Sequence, residues 1–238
     1  MRTALEILCD FDGTVARVDT VDLLLERLAD PAWRVLEARW VRGEIDSRAC
    51  MAGQIALIGG GWAAMREALA DVALDRTFAA FAGWCRRQDV RLRIVSGGID
   101  RVIHHLLARD RIAVDAVWAS HLVEHADGRL ALDFPRPLVG SRCGSGFCKC
   151  ALFTRRFGAT RPLRVLVGDG RSDFCCAHRA DVVFARAELA DYCRDNGLPA
   201  RRFADFAEVQ RGLAQLVHTL PAPAHPGRTF ALPVPVDA

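Results

Sequence analysis

The chain is almost without lysine: of its 32 Lys and Arg residues, Lys149 alone is lysine and all the others are arginine. In such a background a surviving ammonium is either a chance remnant or a residue doing what a planar guanidinium cannot, as a compact, strongly hydrated point charge. The chain also lacks any apolar run near the roughly 18 residues needed to cross a bilayer, and its amino terminus shows no signal-peptide pattern. A cytoplasmic protein without membrane contact is therefore expected. Net charge is only +3, with arginines interspersed among Asp and Glu, so no basic patch is available for nucleic acid. Nine cysteines, among them Cys9 and Cys85 in apolar surroundings, suit reduced thiols better than a secreted disulfide framework.

What is present is an ordinary globular composition, 51% hydrophobic over 238 residues, enough for one large domain or a core with a small module. The stretch Leu5 to Val15 reads L-E-I-L-C-D-F-D-G-T-V: an apolar run that ends abruptly at Asp10 and Asp12. It reads as a buried strand carrying two carboxylates to its carboxyl end, where open α/β sheets bind ligands. Taken alone, the same residues also fit a plain turn.

Helical spacing follows in four segments, Val21–Ala29, Ala32–Val41, Ser47–Ile58 and Trp62–Val72, broken at Asp30-Pro31, Gly43 and Gly59-Gly60-Gly61. Four helices without an intervening strand read as an inserted helical cap. Trp33, Trp40, Met51, Ile55 and Trp62 either line a pocket beneath it or, as such spacing more often means, form core. A helix from Asp75 to Arg87 leads to a strand at Val90–Val95, then Ser96-Gly97-Gly98 before a helix near Asp100. A hydroxyl and glycine amides at that junction make a phosphate cradle or a simple turn. Residues 116–134 suggest a small β-hairpin turning at Ala126-Asp127-Gly128, with His121 and His125 read as surface or packing residues. A third buried strand, Arg164–Val167, closes on Gly168-Asp169-Gly170-Arg171-Ser172-Asp173, and a helix and a short strand at Val182–Ala185 follow. The alternation predicts a doubly wound, Rossmann-like parallel sheet. The expected division is a core of residues 1–16 and 75–218, a cap of 17–74, and a proline-rich tail of 219–238.

If the strand ends carrying Asp10 and Asp12, Ser96, and Asp169 and Asp173 lie side by side, four carboxylates meet in one crevice and require a cation. Mg2+ with carboxylate, carbonyl and phosphate ligands answers that need. Asp10 would then attack a phosphoryl group, Asp12 would protonate the leaving oxygen and activate water, and Lys149 would supply fixed positive charge.

The set D-F-D-G-T, S-G-G-I-D, Lys149 and G-D-G-R-S-D resembles the four signature motifs of the haloacid dehalogenase superfamily. The resemblance implies Asp10 as nucleophile, Asp12 as general acid/base, and Thr14, Ser96, Gly97 and Lys149 as phosphate-binding residues, with Thr14 and Ser96 also bonded to Asp10. It implies Mg2+ held by Asp10, the Asp12 carbonyl and Asp169, with Asp173 in support. The second aspartate, Asp12, points to a phosphatase. The insertion after the first motif resembles the phosphoserine phosphatase branch. There a cap glutamate corresponds to Asp19, and a carboxylate-gripping arginine falls near Ala52. The stretch C-G-S-G-F-C-K-C, with D-F-P upstream, is similar to a methionine-salvage branch that acts on 2-hydroxy-3-keto-5-methylthiopentenyl 1-phosphate.

Cys143, Cys148 and Cys150 match no common zinc spacing and read as packing or turn residues before a structural metal or a disulfide. A small phosphorylated metabolite is the expected partner. A phosphotransferase using another acceptor and a non-catalytic phosphate-binding regulatory module remain open.

Overall fold

The computed structural model describes residues 5–134, 149–154 and 162–219. Cys143, Cys148 and the tail beyond Thr219 lie outside them.

β1 (Leu5–Cys9) is fully buried and apolar except for Glu6, which pairs with Arg93 of the neighbouring strand, as expected of a central strand covered on both faces. It pairs in parallel with β2 (Arg91–Ile99) and β5 (Leu163–Gly168). With β3 (Ala116–Glu124), β4 (Leu130–Asp133), β6 (Val182–Ala185) and β7 (Ala200–Arg202), the described residues form one seven-stranded sheet in the order β4-β3-β2-β1-β5-β6-β7. Strand order reverses between β1 and β5, and a crevice outside the carboxyl ends at such a switch point is where α/β sheets bind ligands. The core wraps both faces: Ile7 and Cys9 meet one apolar cluster, Leu8 and Leu166 the other.

The expected hairpin forms, the second half of β3 pairing antiparallel with β4, and it is joined to the main sheet because the first half of β3 pairs in parallel with β2. Two expectations need correction. The second strand runs on through Ser96-Gly97-Gly98 to Ile99, with a shift of register between Val95 and Ile99. The helix expected from Asp75 is α5 (Phe78–Arg87), because the Asp75 carboxylate instead accepts the Thr77 amide and hydroxyl in a tight turn.

Between β1 and β2 stand α1 (Thr20–Leu28), α2 (Trp33–Val41), α3 (Ser47–Ala56) and α4 (Gly61–Ala68). Asp19 caps α1 by accepting the Val21 and Asp22 amides, and Asp46 caps α3 through the Ala49 amide. The chain enters and leaves this block through paired segments, a bridge of Ala16 with Leu74 and a bond from the Asp75 amide to the Val15 carbonyl at 2.8 Å. Trp33, Ile55 and Trp62 are buried as core and Met51 is half-buried. Trp40, in the last turn of α2, is 41% exposed and is not core. The block also rests on the sheet edge: Glu124 of β3 accepts the Trp62 amide at the start of α4, an anion at a helix amino terminus. No helix among the described residues is long and apolar enough to cross a membrane.

Helices α6 (Asp100–Arg109), α7 (Phe174–Ala177), α8 (Ala187–Asp195) and α9 (Phe206–Thr219) complete the described α-helices.

Candidate active site

Asp10 leaves β1 with its amide still bonded to the Val167 carbonyl of β5 at 2.9 Å, so its position is fixed by the sheet. One carboxylate oxygen accepts the Phe11 amide at 2.7 Å, and the other meets the Lys149 ammonium at 2.5 Å and the Ser172 hydroxyl at 3.3 Å. Lys149 opens a short 3-10 helix, Lys149–Thr154, and is buried. Its ammonium also reaches Asp173 at 2.8 Å. Burial opposes the charge on Lys149, but Asp10 and Asp173 outweigh it and raise the pKa. The lone lysine of the chain is thus a buried cation between two carboxylates. Removing an ammonium from water is unfavourable by several kcal/mol even when it is paired, so stability alone does not account for its place.

Asp169, at the end of β5, joins Asp10 and Asp173 in a group whose carboxylate oxygens lie within 4.8 Å of one another. Burial, then the charge of Asp10 among other influences, raises Asp169; burial pushes Asp173 up to about 7 despite Lys149. Three crowded carboxylates whose negative charge Lys149 does not fully relieve form a hard, all-oxygen donor set that fits Mg2+. Gly13 is required here: its φ is +68°, and a Cβ would collide with the Asp169 carboxylate.

Asp12 stands apart from this group. One of its oxygens accepts the Thr20 amide at 2.9 Å and the Thr20 hydroxyl at 2.6 Å; the other accepts the Ser96 hydroxyl at 3.1 Å. Burial, then the charge of Asp19, pushes Asp12 up to about 7, against the pull of the Thr20 hydrogen bonds. Thr14 and Ser96, expected on Asp10, have their hydroxyls directed elsewhere: Thr14 donates to Asp169 at 2.6 Å and Ser96 to Asp12. Ser96 in turn accepts the Gly98 amide at 2.9 Å, while Gly97 is exposed to solvent.

Asp19 of the helical block adds negative charge beside Asp12, and Asp22 adds to it beside Asp19. Burial raises Asp19 and pushes Asp22 up to about 6, and both feel the charge of Glu37. Glu37 accepts from Gln54 at 2.9 Å. Ala52, half-buried on α3, brings no cation to this side. His121 is exposed, its ring 2.8 Å from Asp100, and stays a surface residue.

Sequence reasoning missed Thr20, Ser172 and Arg186. Thr20 hides in the first turn of an amphipathic helix, although a hydroxyl eight residues past a strand-end Asp was a usable signal. Arg186 is one arginine among many.

Residues 7–178 match the model of the family described as haloacid dehalogenase-like hydrolase. The chain belongs to the haloacid dehalogenase-like hydrolases. Within that family it is similar to proteins named 2-hydroxy-3-keto-5-methylthiopentenyl-1-phosphate phosphatase. The one from Brevibacillus brevis is 28% identical over 223 residues, covering 91% of this chain and 98% of that protein. The one from an Exiguobacterium species is 27% identical, covering 87% and 97%. Among solved structures, a phospho-aspartyl intermediate analogue of phosphoserine phosphatase aligns with a TM-score of 0.64 at 16% identity, over 89% of this chain and 99% of that one. A phosphoserine phosphohydrolase-like protein from Francisella tularensis gives 0.62 at 19% identity, over 89% and 99%. These likenesses show a shared fold with the hydrolase family.

Proposed function

We propose that this hydrolase is a Mg2+-dependent phosphomonoesterase of small phosphorylated metabolites, working through an aspartyl phosphate on Asp10 in the cytoplasm. The observation that carries the reading is the buried Lys149 ammonium held on Asp10 at 2.5 Å within a compact three-carboxylate group. Mg2+, held by Asp10 and Asp169 with Asp173 in support and the Asp12 carbonyl as a further ligand, would neutralise the transferring oxygens. Asp10 attacks phosphorus, the P–O bond to the leaving group breaks, and Asp12 delivers its proton to the departing oxygen. An acid with a pKa of about 7 retains a proton to give near neutrality. Asp12 then takes a proton from the water that cleaves the acyl phosphate. Lys149 fixes the nucleophile and meets phosphoryl charge, and Thr14, Ser96 and the Gly97 amide complete the cradle.

In this reading residues 1–16 and 75–218 form the catalytic core, 17–74 the cap that covers the crevice, and 219–238 a tail. The leading substrate is the methionine-salvage enol phosphate. Relatives bearing that activity in their names align over nearly the full chain, and the carboxylates Asp19, Asp22 and Glu37 disfavour a substrate with a carboxylate of its own. A panel of phosphorylated metabolites with Mg2+ tests the assignment. Turnover of the enol phosphate well above that of phosphoserine, abolished in a folded Asp10→Asn variant, is expected. Preferential turnover of phosphoserine removes the substrate assignment, and undiminished turnover by Asp10→Asn removes the mechanism.

A further inference from the structure

The two loops that carry the proposed metal carboxylates are joined by one side chain outside every motif. Arg186 follows β6, and its amide donates to the Gly168 carbonyl at 3.1 Å, immediately before Asp169. Its guanidinium turns back across the crevice floor to the other loop. Nε donates to the Gly13 carbonyl at 2.9 Å, and an Nη donates to the same carbonyl and to that of Thr14 at 2.6 Å. The guanidinium carbon also lies over Phe203, 5.1 Å from the ring centroid, a cation–π contact. The next residue, Ala187, has a φ of +44°, an unfavourable conformation for a residue with a side chain and one that persists where surrounding contacts demand it. Thr14, whose carbonyl is gripped, donates its hydroxyl to Asp169. Arg186 therefore reaches Asp169 by two routes, through the backbone of β5 and through Thr14.

We infer that Arg186 is a positioning residue for the metal: its fork clips the loop after β1 to the loop after β5 and so holds Asp10 and Asp169 at a metal-binding separation. The inference rests on the Mg2+ site proposed above. Charge and positioning make opposite demands. A guanidinium near a divalent cation repels it, so deleting the charge alone tightens Mg2+ binding. Losing a support of the ligands loosens it, by about 10- to 100-fold for comparable outer supports of metal ligands.

The test is a calorimetric titration of the full chain with Mg2+ alone, in wild type, Arg186→Gln and Arg186→Lys. Lysine keeps the charge without the planar fork. Mg2+ affinity about 10-fold weaker in Arg186→Gln supports the role; equal or tighter binding overturns it. Should Arg186→Gln fail to fold, Arg186→Lys decides: weaker affinity supports the clip and unchanged affinity refutes it. A merely structural arginine would lower the melting temperature of the metal-free protein and leave Mg2+ affinity unmoved. If wild type itself takes up no Mg2+, the metal reading falls and this role with it; if wild type binds and both variants match it, only the role of Arg186 falls.

Discussion

The floor of the crevice and its mouth handle negative charge in opposite ways. On the floor, Asp10 and Asp173 share the buried Lys149 ammonium, at 2.5 and 2.8 Å, and Asp169 is held by Thr14. At the mouth, Asp12, Asp19 and Glu37 rely on neutral donors, namely Thr20 and Ser96, backbone amides, and Gln54. Among the described residues no lysine or arginine forms an ion pair with them. Burial pushes Asp173 on the floor and Asp12 at the mouth alike up to about 7, so the difference lies in what holds each carboxylate in place, a fixed ammonium for the one and neutral hydrogen-bond donors for the other. The floor is accordingly suited to fixed electrostatic work, and the mouth to proton transfer and to discrimination among substrates.

Breaking the floor should have the largest effect. Lys149→Met leaves Asp10 and Asp173 buried without their cation, a loss of about 3–5 kcal/mol for a broken buried pair, along with a fall in turnover of roughly 10^3-fold for a lost electrostatic stabiliser. Denaturant melts and steady-state rates measure the two effects. A variant that keeps near-normal turnover would make Lys149 a structural remnant.

The second effect concerns protons. Asp12 and Asp173 have folded pKa values raised to about 7, and Asp169 is raised as well. The unfolded chain gives up these protons near pH 4 while the metal-free fold keeps them, so the contribution of these groups to stability declines as pH rises from about 4 to about 7 and is level above that. Mg2+ competes with the retained protons. Its stabilisation, read as the rise in melting temperature at saturating Mg2+, should therefore be larger at about pH 7.5 than at about pH 5.5. A shift independent of pH would contradict the crowding inferred on the floor.

The smallest effect belongs to the mouth. Glu37→Gln should leave turnover of a small aryl phosphate within about threefold, as expected for a charge outside the reacting atoms. The same change should lower KM for phosphorylated substrates that bear an extra carboxylate. Equal loss with every substrate would move Glu37 from selection into the chemistry.

The floor was largely legible from sequence, because short-range rules place it. An apolar run ending in D-F-D, a second ending in S-G-G and a third ending in G-D-G-R-S-D each also fit a plain turn, but together they read as buried parallel strands that converge at one sheet edge. The scarcity of lysine singled out Lys149. The sheet's margins were less legible: β7, A-R-R with every residue exposed, has no apolar signature, and the join of β3 to β2 depends on tertiary pairing. The bonds of Thr14, Ser96, Thr20 and Arg186 were hidden for the same reason, since hydroxyl and guanidinium partners are chosen in space and leave no periodicity in the chain.

The claim that Asp10 carries the phosphoryl group is tested most directly by trapping it. The protein is mixed with Mg2+ and the enol phosphate, or with an aryl phosphate if that substrate is not turned over. It is then quenched in acid and treated with borohydride, which reduces an acyl phosphate to an alcohol, and its peptides are read by mass spectrometry. The account predicts homoserine at position 10, dependent on both substrate and Mg2+. Homoserine at position 12 or 169 instead, or turnover with no reduced aspartate, would contradict it.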